Sequence, residues 1–195
     1  MDEDQEQFLR DEFFSLTLMA RVQRAHVYVP NANAKTKASF QKALRSWLER
    51  LEPVYRDVVS EEDHMQNIVA LSEGLSKDYA DVLAGRRFRV GTAQKALNLY
   101  LKYLWCIGKL PAPPHCPFDF GVIAKLPECR GINWTALDNP TQYQELVTAA
   151  KAKAGSMSLA LWELRTYNGP VLRKSAEMTE TRARPTIPVA DKQVK

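Results

Sequence analysis

The chain has few of the features that would name its chemistry outright. It contains no internal repeat, no Gly-rich nucleotide-binding fingerprint and no C-x2-C pair of the kind that opens a zinc site. It has only three cysteines, Cys106, Cys116 and Cys129. An odd number argues against a disulfide framework and for reduced thiols. No apolar run approaches the length of a bilayer-crossing helix, and mean hydropathy is −0.36. The first ten residues, MDEDQEQFLR, are acidic where a secretory leader would be basic and then apolar. Those absences lead us to expect a cytoplasmic protein with no membrane partner. Net charge is +4, which permits an anionic polymer as partner without requiring one.

The apolar positions recur at helical spacing. With 195 residues and 45% hydrophobic content, the chain can bury a core as one helical domain over residues 1–172. Residues 173–195 are polar, lean basic and read as a disordered tail. Phe13, Leu16, Met19 and Val22 suggest the inner face of a first helix. His26–Val29 (HVYV) is a short β-prone stretch, and PNANAKTK after it reads as an exposed loop. Phe40, Leu44, Trp47, Leu48 and Leu51 make a strong amphipathic helix that closes before Pro53. Ser60 starts another with His64, Ile68, Leu71 and Leu75 on one stripe. Ser76 suggests a cap for a further short helix ending at Gly85. A long helix is predicted over about residues 92–107, and Pro111, Pro113, Pro114 and Pro117 forbid helix across the bend after it. Asp119 and Asn139-Pro140 each stand where a helix N-cap belongs. A last helix around Leu159, Trp162, Leu164 and Tyr167 ends at Asn168-Gly169-Pro170. The predicted fold class is all-α, with at most a vestigial hairpin.

One segment suggests chemistry. Arg86, Arg87 and Arg89 surround Phe88 at a turn that runs through Gly91 and Thr92 into helix. Three guanidinium groups beside helix N-terminal amides suit phosphate contact. Lys95 follows on the helix, and the proline-rich bend then brings Asp119. Helix, glycine-containing hairpin, lysine-bearing helix, proline bend and aspartate together resemble the helix-hairpin-helix superfamily of base-excision DNA glycosylases, over residues 86–126. The chain differs from that family in having one hairpin glycine, with Arg89 at the other position, and a longer spacing from Gly91 to Lys95. It also lacks the four-cysteine iron–sulfur motif of some members.

The resemblance implies a DNA-binding N-glycosylase or lyase of DNA repair, a hydrolase needing no cofactor. In such an enzyme Gly91 lies in the phosphate-binding hairpin, Lys95 attacks the sugar C1′, and Asp119 activates the amine or stabilises the developing sugar cation. A base-flipping enzyme also needs an aromatic pocket, and Trp105, Phe118, Phe120 and Trp134 are candidates for it. Lys102, two turns beyond Lys95, is a competing amine.

The same residues have plainer readings. Lys95 can be a surface lysine, Asp119 an N-cap, and the aromatics core. His115-Cys116 with Cys106 and Cys129 has poor spacing for zinc, and no metal is expected. His64 within its apolar stripe reads as a satisfied, partly buried histidine. Two alternatives to an enzyme are open: a non-catalytic helical nucleic-acid-binding protein, or an accessory factor that docks a protein partner through its C-terminal helix and tail.

Overall fold

The computed structural model describes residues 2–167, without the side chains of residues 20–25. The helices run α1 (Glu3–Ala25), α2 (Ala34–Leu51), α3 (Glu61–Tyr79), α4 (Val90–Cys106), a one-turn α5 (Phe120–Ile123) and α6 (Pro140–Ala154), with α7 over residues 159–167. Short 3-10 turns lie at Glu52–Arg56, Ala84–Arg86 and Pro127–Cys129. The fold is all-α. Among the described residues there is no strand, and the HVYV stretch makes one isolated antiparallel bridge, Tyr28 to Leu83. The chain divides into Met1–Glu163 and a unit from Leu164 onward, of which only residues 164–167 are described. The expected helix stop at Asn168-Gly169-Pro170 and the tail from residue 173 lie outside the described residues.

Local chemistry sets most of the helix starts. Asp2, Asn33, Ser60 and Asn139 each accept a first-turn backbone N–H through their side chains. Such a cap satisfies a donor that has no intrahelical partner. Asn33 also corrects the sequence reading: its cap starts α2 at Ala34, inside the stretch expected to be loop. Ser76 caps nothing. It lies within α3, donating to Ser72 O (2.6 Å) and accepting from Phe88 N–H (2.9 Å). With Ser72 Oγ donating to Phe88 O (2.6 Å), the two serines pin the arginine-rich turn to α3. That turn bends through two consecutive left-handed residues, Gly85 at φ +64° and Arg86 at φ +57°.

The central element is α4. Every residue from Val90 to Asn98 is buried, because α4 packs against α1, α3 and α6. Around it, α2 contributes Phe40, Leu44 and Leu48, α3 contributes Ile68, Leu71 and Leu75, and α6 contributes Tyr143, Leu146 and Val147, as their spacing predicts. The inner face of α1 is rotated from the one expected. Phe14 and Thr17 are buried and Phe13 stacks on Tyr103 (centroids 5.1 Å), while Leu16 and Met19 are exposed. Arg10 fixes that rotation by pairing with the buried Glu52, which also accepts from Tyr100 Oη–H (2.8 Å).

Phe40 joins α2, α3 and the basic turn through edge contacts with Tyr28, Tyr79 and Phe88, at centroid distances of 5.6, 5.5 and 5.4 Å. Phe40→Ala is expected to lower unfolding free energy by about 3–5 kcal/mol in urea denaturation. A loss below about 1 kcal/mol would mean that these contacts do not hold the three elements together.

Candidate functional site

Asp119 caps α5 through one carboxylate oxygen and reaches α4 with the other. Its Oδ1 accepts from the N–H groups of Gly121 (2.9 Å) and Val122 (3.1 Å). Its Oδ2 lies 3.2 Å from Lys95 Nζ. The Lys95 side chain is only 7% exposed and that of Asp119 is 34% exposed. The ammonium also sits over the Trp134 ring, 4.5 Å from its centroid, where the ring's negative face attracts a cation. Phe120, next to Asp119, meets Trp134 edge-on at 5.8 Å and is 45% exposed. The structure therefore brings Lys95, Asp119, Phe120 and Trp134 together.

The other two aromatic candidates stand elsewhere. Phe118 is fully buried and packs on Tyr143 (5.7 Å) as core. Trp105 lies ten residues beyond Lys95 on α4, about 15 Å along the helix axis. Lys102 has a different partner, Glu163, at 2.5 Å, with both side chains nearly enclosed. Burial pushes the Glu163 carboxyl up against the opposing pull of Lys102, and the charges of Asp119 and Lys95 also act on it.

Asp119 is placed by a residue the sequence reading passed over. Gln94 Nε2 donates to Phe118 O (2.7 Å) and Gly91 O (2.9 Å), and Gln94 Oε1 accepts from Phe118 N–H (3.1 Å). This two-point clamp fixes residue 118 on α4 one position from Lys95. Asn98 Nδ2 completes the carboxamide's bonding by donating to Gln94 Oε1 (3.2 Å). Beyond Asn98 the chain of hydrogen bonds reaches His64, Tyr55, Tyr143 and His115. His64 is thus wholly buried, with both ring nitrogens bonded. A signal for this network was present: Gln94 and Asn98 stand four residues apart, flanked by Ala93, Ala96 and Leu97, and buried amides need partners.

The start of α4 departs from the expectation of a phosphate cradle. Gly91 N–H donates to Leu137 O (2.8 Å) and Thr92 N–H to Arg89 O (2.9 Å). Val90 N–H donates to Asp138 Oδ1 (3.1 Å), whose Oδ2 accepts from Arg87 Nε–H (2.9 Å). Gly91 and Thr92 are buried, so the anion position at this helix start is filled by the protein's own carboxylate. The need for glycine at 91 is space. A Cβ there would fall 1.9 Å from Trp134 O. Of the arginines, Arg86 is exposed and pairs with the exposed Asp81, Arg87 is taken by Asp138, and Arg89 has no ionic partner among the described residues.

The cysteines are free thiols. Cys116 is fully buried, which raises its thiol well above the ordinary range, and the neighbouring His115 bonds Tyr143 through Nδ1 (2.9 Å). Among the described residues no three His, Cys, Asp or Glu side chains are grouped to hold a metal ion. None of the described helices is long and apolar enough to cross a membrane. Comparison with family models, with curated proteins and with solved structures finds no match.

Gly91→Ala is expected to push the Trp134 backbone away from α4 and lower stability by about 1–3 kcal/mol, while withdrawing the Trp134 ring from Lys95. The expected readout is a lowered denaturation midpoint together with a changed Lys95 Nζ environment by NMR. A variant as stable as the parent would show that the close approach is not needed.

Proposed function

We propose that this protein acts on nucleic acid through Lys95 and Asp119, as an N-glycosidic lyase-type enzyme resembling the helix-hairpin-helix glycosylases. The observation that carries the reading is the contact of Lys95 Nζ with Asp119 Oδ2 beneath Trp134 and beside the exposed Phe120. An amine, a carboxylate and an aromatic edge in one place are the groups such a reaction uses. Two backbone N–H groups hold Asp119 Oδ1, so this carboxylate suits a fixed negative charge that stabilises an oxocarbenium-like sugar more than a mobile base. Lys95 would attack the sugar C1′ after giving its proton to water, and the base would leave with the electron pair of the broken glycosidic bond. With the α4 amides occupied and Arg87 held by Asp138, phosphate contact in this reading falls to the side chains of Arg86 and Arg89.

A non-catalytic helical binding protein is the second reading. It is favoured by the enclosure of Lys95 and by the seating of Asp138 at the start of α4. In that case the Lys95–Asp119 pair ties the proline bend to α4 and does nothing more.

Borohydride trapping on an abasic-site duplex separates the two. The enzyme reading predicts a covalent adduct with the parent chain and none with a folded Lys95→Ala variant. It also predicts duplex affinity falling about 12-fold between 50 and 200 mM salt, for two phosphate contacts. Salt-sensitive binding with no adduct supports the binding protein, whereas no adduct and no binding removes nucleic acid from the account altogether.

A further inference from the structure

The most unusual chemistry outside the candidate site is a pair of imidazoles in the core. His64 of α3 and His115 of the proline bend are both fully buried, with ring centroids 4.7 Å apart and planes at 87°. The hydrogen bonds around His64 define where its proton sits. Asn98 Oδ1 can only accept, so His64 Nε2–H donates to it (2.8 Å) and His64 Nδ1 accepts from Tyr55 Oη–H (2.7 Å). Asn67 Nδ2 donates to Tyr55 Oη (3.2 Å). On the other side Asn98 Nδ2 donates to Tyr143 Oη (3.2 Å), Tyr143 Oη pairs with His115 Nδ1 (2.9 Å), and His115 Nε2 is buried with no hydrogen-bond partner. The bare nitrogen of His64 therefore already accepts from a phenol, whereas His115 Nε2 has no hydrogen-bond partner.

A proton arriving at His64 Nδ1 would turn the Tyr55 O–H away, and a protonated His115 would hold a buried Nε2–H with no acceptor. No other acceptor for the Tyr55 O–H lies within hydrogen-bond distance among the described residues. The new charge would also lie in an apolar core beside a second imidazole. The groups facing the rings offer little compensation. Glu61 of α3 acts on His64, but it is half exposed and paired with Lys151 of α6 (2.8 Å). Lys151 itself disfavours a cation on His115. Asp63 acts on Tyr55, α4 presents the neutral Asn98, and the bend contributes the buried Cys116 thiol.

We propose that the His64–His115 pair is an acid-sensitive latch, holding the proline bend and α6 on α3 and α4 only while both rings are neutral. Through Asn98 and Gln94 the same chain reaches Phe118, so release of the latch also frees Asp119 from Lys95. The device follows from the packing and holds whether or not that pair is catalytic. Burial is the largest influence on both rings and keeps His64 down to about 3 and His115 down to about 4, against 6.5 for an unburied imidazole. The opened state takes up protons as pH falls through 6.5, and the latched state does not. The latch is at full strength above that value and weakens below it, by about tenfold per imidazole at pH 5.5.

Hydrogen exchange of the full chain at pH 7.5 and 5.5, corrected for intrinsic exchange rates, tests this. Opening of residues 112–123 and of α6 should rise about 100-fold at the lower pH, with α2 little changed. The double variant His64→Gln, His115→Gln should lose that increase. Uniform opening across all helices, or no increase in the bend, would overturn the latch. Should the variant fail to fold, imidazole NMR of the parent chain decides. Both buried rings must stay neutral through pH 5.5, and a titration of either near 6.5 in the folded protein rules the latch out.

Discussion

The Gln94 carboxamide closes four hydrogen bonds at once in a fully buried position: both its N–H groups donate, and its oxygen accepts twice. The rest of the site depends on that arrangement. A carboxamide left partly bonded in a core would destabilise the fold by several kcal/mol, so the backbone of residue 118 is held wherever Gln94 is held. Pro117 and Pro114 stiffen the approach, and Asp119 is then delivered to the one-turn α5 with one oxygen committed to the cap and the other free to meet Lys95. Local capping and tertiary pairing share a single carboxylate.

A second constraint acts at the first turn of α4. Gly91 has no side chain, so the Trp134 carbonyl can lie where a Cβ would be, and the segment from Trp134 to Asp138 closes over the first turn of α4. Asp138 bonds Val90 and Arg87, Leu137 bonds Gly91, and the Trp134 ring is left over the Lys95 ammonium. Lys95 is therefore enclosed by two chain segments that come from 24 and 39 residues away. The counter-charge of Asp119 and the aromatic face of Trp134 together offset the desolvation of that ammonium.

The helices were legible in the sequence because their causes are local. The Ser60 cap with the His64–Ile68–Leu71–Leu75 stripe, and the Asn139-Pro140 start of α6, need no distant partner. The α1 face was misread because Arg10 reaches Glu52, forty-two residues on, and that pairing rotates the helix away from its simplest apolar stripe. Within the site, Lys95 and Asp119 could be named by residue type and position, but what each touches could not. The roles of Gln94, Asp138 and the two histidines depend on backbone and side chains far along the chain. What the sequence did carry was a tension: amides, a lysine and histidines at positions whose neighbours are apolar. Such residues must find partners on burial, and these found one another at every polar atom but His115 Nε2.

The most direct test of this organisation is the coupling energy between Lys95 and Asp119, from a double-mutant cycle of Lys95→Met and Asp119→Asn measured with Gln94 intact and again in Gln94→Leu. With Gln94 present the cycle should give a coupling of about 1–2 kcal/mol. With leucine at 94 the bend loses its register on α4, and the coupling should fall to near zero. An undiminished coupling in the Gln94→Leu background would show that the ion pair places the bend by itself, contradicting the dependence on the buried carboxamide.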